Sequence, residues 1–104
     1  MISPLILERA VELLACMAHP ARLGVLERLH RDGPASVGEL TEALGVEQSV
    51  LSHHLSHLRA ARLVVGAREG RRMVYRLHDE HVGQIVEETL RHAEEDPACG
   101  HEGG

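Results

Sequence analysis

Between Ser36 and Leu77 the spacing of the apolar residues changes character, and this limits the folds open to the chain more than any other feature. Ser36 followed by Glu39 is a capping box, in which each side chain satisfies an orphan backbone N–H of a first helical turn. A helix is expected from Val37 to Leu44. Gly45 ends it as a left-handed C-cap, and from Gln48 to Ala60 a helical period resumes through Leu51, Leu55 and Leu58. Helix, short turn with Gly, helix is the order of a helix-turn-helix. Beyond Ala60 the period shortens. Leu63, Val64 and Val65, then Met73, Val74, Tyr75 and Leu77, are β-prone runs separated by Arg68-Glu69-Gly70-Arg71, a hairpin with a cationic tip.

Helices are expected on either side of this unit. Leu7, Val11, Leu14 and Ala18 recur at three and four behind Pro4, which a first turn tolerates. Pro20 opens a second stretch, with Leu23, Leu26 and Leu29 inward and Val25 a further candidate, that stops at Asp32-Gly33-Pro34. A last helix is read from Asp79 to Asp96, with Val82, Ile85, Val86, Thr89 and Leu90 on its apolar or small side and Pro97 and Gly100 closing it. The expected fold is mainly α with a small β-hairpin: four helices, the hairpin, then a fifth helix.

A chain of 104 residues favours one domain, taken as 1–96, with 97–104 as a flexible tail. Trp and Phe are absent and Tyr75 is the one aromatic, so the core must be aliphatic. The same absence removes the stacking platform that single-stranded nucleic acid uses. The apolar runs fall short of a membrane span, and no charged-then-apolar leader opens the chain, so a cytoplasmic protein without a membrane partner is expected. Cys16 and Cys99 are too few and too distant for a disulfide framework and are read as free thiols.

Net charge is −5, which by itself argues against nucleic acid, but the charge is unevenly placed. Residues 47–78 hold six Arg against two Glu, a balance of +4, whereas residues 79–104 hold one Arg against eight acids, −7. A basic middle beside an acidic end suits a polyanion-binding surface and a cation-binding one. All cations are Arg, a residue suited to bidentate phosphate contacts.

The cation-binding candidate is specific. Asp79, His81, His92 and Glu95 supply the carboxylates and imidazoles that zinc, cobalt and nickel accept. His81 and His92 are eleven positions apart, close to three whole turns, so they share a face but stand about 16 Å apart along the axis. One helix cannot close such a site. A second, antiparallel copy can, setting Asp79 and His81 of one protomer against His92 and Glu95 of the other, twice. The spacing therefore predicts a homodimer with two equivalent intersubunit sites. A polar helix face rich in His and acids is the alternative reading of the spacing taken alone.

The stretch Glu47-Gln48-Ser49-Val50-Leu51-Ser52-His53-His54-Leu55, with Leu58-Arg59, Leu63-Val64 and Gly70-Arg71-Arg72-Met73-Val74-Tyr75-Arg76-Leu77, resembles the ArsR/SmtB family of metal-responsive regulators from about His19 to Glu95. The resemblance implies a winged helix-turn-helix, a homodimer through its first and last helices, and double-stranded operator DNA as partner. Gln48, Ser49, Ser52 and His53 project from the first turns of the helix whose leucines face inward, so they are the candidates for reading base edges. Arg59, Arg68, Arg71 and Arg72 are the candidates for phosphate. His54 lies nearer the inward face and is expected to be structural and hydrogen-bonded. Arg62 departs from the Gly that relatives carry before the first strand, a departure that strains the turn or adds a phosphate contact.

The resemblance also places final-helix ligands at Asp79, His81, His92 and Glu95, with Ni(II) taken ahead of Zn(II) or Co(II) as effector. Glu95 departs from the His of some nickel and cobalt sensors and matches zinc sensors. Cys99 and His101 are possible extra ligands, and the family's arsenic-type Cys pair is missing. The rival readings are a thiol-based redox regulator using Cys16 and Cys99, a regulator needing a partner protein, and a winged helix without metal response. A hydrolase is set aside for want of a nucleophile elbow, a phosphate-cradling Gly loop or a His-Glu-x-x-His motif.

Overall fold

The computed structural model describes residues 1–95. Ser3 caps the first helix, its Oγ accepting the Leu5 N–H at 3.1 Å, and Pro4 occupies the position whose missing N–H costs nothing. The elements then follow as α1 (Pro4–Met17), α2 (Pro20–Asp32), β1 (Ala35–Ser36), α3 (Val37–Leu44), α4 (Gln48–Ala60), β2 (Val64–Glu69), β3 (Arg72–Leu77) and α5 (Glu80–Glu95). The winged helix-turn-helix order expected from the sequence is the order observed.

The start of α3 and the turn into α4 form as their residues dictate. The Ser36 Oγ accepts the Glu39 N–H at 3.1 Å while the Glu39 carboxylate accepts the Ser36 N–H at 2.8 Å. Gly45 adopts φ 66°, ψ 28°, and its N–H closes the helix on the Thr41 carbonyl at 2.8 Å. The sheet is larger than the expected hairpin. Ala35 and Ser36 pair with Tyr75 and Val74, so the strand order is β1-β3-β2, all antiparallel. Ser36 thus ends a strand and caps a helix, which ties the wing to α3.

α2 lies at the centre, packed against α3, α4, α5 and β3. Val25 and Leu26 are fully buried and Leu29 nearly so, with Leu40, Leu51, Leu55, Leu58 and Val86 closing around them. Each such aliphatic side chain contributes about 1.5–3 kcal/mol by leaving water. Tyr75 seals the sheet side, its ring lying over Gly66, where a Cβ would stand 2.9 Å from it.

α1 behaves differently. Its stripe of Leu5, Ile6, Leu7, Val11 and Leu14 is periodic, yet each of these residues is more than half exposed and only Met17 is buried. Ile85 on α5 is likewise 44% exposed. No helix among the described residues is long and apolar enough to cross a membrane.

Candidate nucleic-acid interface and metal ligands

α4 is two-sided. Leu51, His54, Leu55 and Leu58 are buried, and Gln48, Ser49, Ser52 and His53 emerge on the exposed side. Ser49 Oγ donates to Glu47 Oε1 at 2.6 Å, which holds the hydroxyl at the helix start. Arg59 stands exposed in the last turn, where a cation also complements the helix dipole. Gln48 lines one cleft with Arg71, Arg72 and Met73, so the beginning of α4 and the wing share a surface.

The wing is tighter than expected. β2 continues through Glu69 and β3 begins at Arg72, leaving Gly70-Arg71 as a two-residue turn. Gly70 takes φ 65° and Arg71 does not have positive φ, the arrangement that puts Gly first in a hairpin turn matching strand twist. Arg68, expected in the turn, is a strand residue opposite Met73. Among the described residues, Arg59, Arg68, Arg71 and Arg72 form no ion pair within 4 Å. Arg62 adopts φ 63°, the one non-Gly residue among those described with positive φ. Its side chain is exposed, so the strain expected from its departure is present in the backbone.

His54 is structural, as its position implied. It is 7% exposed, its Nδ1 accepts from Arg22 Nε at 3.0 Å, and its ring lies 4.3 Å from that of His19. Burial, then the nearby His19 and Arg22, holds its imidazole below the ordinary value and favours the neutral form. Cys16 is half-buried beside this group, with its Sγ 3.7 Å from the His57 carbonyl and 3.7 Å from Arg22. His53 Nε2 lies 3.2 Å from Nε2 of His57, a residue the sequence reading passed over.

At the start of α5, Asp79 is a cap and not part of the helix. Its Oδ1 accepts the Val82 N–H at 3.2 Å and stands 3.4 Å from His81 Nδ1, while its Oδ2 is 3.2 Å from His78 Nδ1. The His78 contact foremost holds the Asp79 carboxyl below its ordinary range, so it is ionised at neutral pH. Two ligands at about 2.0–2.2 Å on a tetrahedral ion stand about 3.3–3.6 Å apart, so the Asp79–His81 pair has the separation a metal requires. His81 is open to solvent, its side chain 85% exposed.

His92 and Glu95 are exposed at the other end of the same helix, His92 about 16 Å and Glu95 about 21 Å from His81 along its axis. Among the described residues, no group of three or more His, Cys, Asp and Glu within the chain is arranged to hold a metal. The chain brings together one half of the expected ligand set. Cys99, His101 and the tail expected at 97–104 lie outside the described residues.

A helix-turn-helix domain model matches residues 17–67. Over 81 residues the chain is 49% identical to the HTH-type transcriptional regulator NmtR of Mycobacterium tuberculosis, covering 78% of this chain and 67% of that one. The chain belongs to the ArsR/SmtB family. The HTH-type transcriptional repressor SmtB of the same organism is 44% identical over 91 residues, 88% of this chain and 67% of that one. A solution structure from Mycobacterium bovis, a homodimeric winged helix-turn-helix DNA-binding domain described as a possible ArsR-family regulator, superposes with a TM-score of 0.79. It is 28% identical and covers 86% of this chain and 82% of that one. ArsR/SmtB proteins are DNA-binding regulators and not enzymes, and α3, α4 and the β2–β3 wing supply the parts that membership requires.

Proposed function

We propose that this chain is a homodimeric, metal-responsive transcriptional repressor that binds operator DNA and releases it when a divalent transition metal is held between the two copies of α5. The observation that carries the reading is the division of the ligands. Asp79 and His81 stand at metal-ligand separation at one end of α5, and His92 and Glu95 are exposed about three and four turns away. A twofold partner with antiparallel α5 completes two sites of four nitrogen and oxygen ligands each. The exposed apolar stripe of α1, with the exposed Ile85 on α5, supports the same pairing, because a stripe of this size is buried in a partner or is a liability. The homodimeric state of the Mycobacterium bovis domain supports it as well.

On the DNA side, Gln48, Ser49, Ser52 and His53 read base edges in the major groove, and Arg59, Arg68, Arg71 and Arg72 hold phosphates. When bound, the ion supplies a cross-link that fixes the relative orientation of the two winged helices. Asp79 links the ligand set to the fold, since the carboxylate that faces His81 also caps the helix through Val82. Ni(II) is placed ahead of Zn(II) and Co(II) as the physiological effector.

Linkage requires that DNA weaken metal binding by the factor by which metal weakens DNA binding, about 5- to 150-fold for a coupling of about 1–3 kcal/mol. Titrating Ni(II) into a preformed protein–operator complex tests the proposal. Loss of DNA affinity is expected, and an unchanged affinity would refute sensing. The thiol alternative is not favoured. Cys16 is half-buried against α4 and Arg22, and Cys99 lies outside the described residues.

A further inference from the structure

The geometry points to a second metal site, formed by His53 and His57 on the exposed side of α4, that takes a divalent transition metal with imidazole preference independently of α5. The two residues are at i and i+4, so the helix itself sets them side by side. Their Nε2 atoms are 3.2 Å apart, with ring centroids at 4.6 Å and planes at 77°. Two imidazole nitrogens bound at about 2.0–2.1 Å stand about 2.8–3.0 Å apart at a right angle and about 3.3–3.4 Å at the tetrahedral angle. The observed separation falls between these values, so the two nitrogens stand at chelating distance.

Both rings are exposed, which leaves the remaining coordination positions open to water. His54 does not join, because it is turned inward with its Nδ1 engaged by Arg22. The site is therefore a two-nitrogen chelate, weaker than a four-ligand site and of the kind for which copper, nickel and zinc rank above manganese and iron.

The site has a consequence for recognition. His53 belongs to the proposed base-reading set, so a metal-held His53 is withdrawn from the groove, and metal and DNA compete on this face. The binding itself does not depend on that reading. It also does not depend on the α5 site.

The test uses the full chain carrying His81→Ala and His92→Ala, which leaves the α4 pair as it is. Zn(II) is titrated and the imidazole nitrogens are followed by NMR. One equivalent per protomer is expected, with the Nε2 signals of His53 and His57 shifting together. Adding His57→Ala should weaken binding at least about tenfold, because the second imidazole binds intramolecularly. If the double variant folds poorly, titration of the wild type beyond saturation of its tighter site gives the same readout. No saturable binding, or binding undiminished by His57→Ala, would overturn the proposal and identify the 3.2 Å contact as an N–H···N hydrogen bond only. Failure of the α5 reading has a different signature, namely a wild type that binds no more tightly than the His81→Ala/His92→Ala chain.

Discussion

Replacing Arg71 and Arg72 together by Ala removes the cationic end of the wing, and the effect on DNA binding can be worked out from the structure. Both side chains are exposed, neither forms an ion pair among the described residues, and both line the cleft that Gln48 of α4 enters. In a twofold dimer the double substitution deletes four phosphate contacts. Each lowers the slope of log affinity against log salt by about 0.9, so the slope becomes shallower by about 3.6. Raising salt fourfold, from about 50 to about 200 mM, should then weaken the wild type about 150-fold more than the variant. Fluorescence anisotropy on a labelled operator duplex over this range measures both slopes. The fold should be almost unaffected, because exposed substitutions change stability by about 0.5 kcal/mol or less. The cross-strand position of Arg72 opposite Glu69 adds about 0.2–1 kcal/mol at most. Equal slopes for the two proteins would refute the assignment of the wing to phosphate.

Three further predictions concern the fold. The His54 imidazole has a lower pKa folded than unfolded, so the unfolded chain binds more protons between the two values. Stability should therefore fall as pH drops below about 6.5, and His54→Gln should flatten that dependence in chemical denaturation. A Cβ at Gly83 would press into the His30 ring, 2.8 Å from its Cε1, displacing the side chain that meets Glu87 at 2.7 Å. Overpacking of about 1–3 kcal/mol exceeds the helix-propensity gain of about 1 kcal/mol, so Gly83→Ala should lower Tm, and a raised Tm would contradict the α2–α5 packing described. Arg62→Gly should raise stability slightly. Relief of about 1–2 kcal/mol of left-handed backbone strain outweighs about 0.4–1 kcal/mol of added freedom in the unfolded chain, and a lower Tm would refute this.

How much the sequence revealed depended on whether a feature was local. The boundaries of α3 and α4 were legible because Ser36, Glu39 and Gly45 settle their own hydrogen bonds within a few residues. The two-residue β1 was not. Its only reason to be extended is pairing with Tyr75 and Val74, some forty positions away, and Ser36 already had a role as a cap. The stripe on α1 was legible as a period, but period alone does not say whether a face meets its own chain or another. Asp79 was counted in α5 because an N-cap and a first-turn acid look alike in sequence. Arg62 stood out only through the family resemblance, and its positive φ bears out the strain. His57 escaped notice because its pairing with His53 needs side-chain geometry as well as spacing.

Each proposed α5 metal site draws its ligands from two protomers, and complementation tests that most directly. His81→Ala and His92→Ala proteins should each bind no Ni(II) tightly. Mixed in equal amounts and allowed to exchange, half of the dimers combine one chain of each kind, and each of these regains one intact site built from His81 of one chain and His92 of the other. Calorimetry should then recover about 0.25 tight sites per protomer, against one per protomer for the wild type. A mixture that stays silent, or single variants that bind as the wild type does, would contradict an intersubunit site.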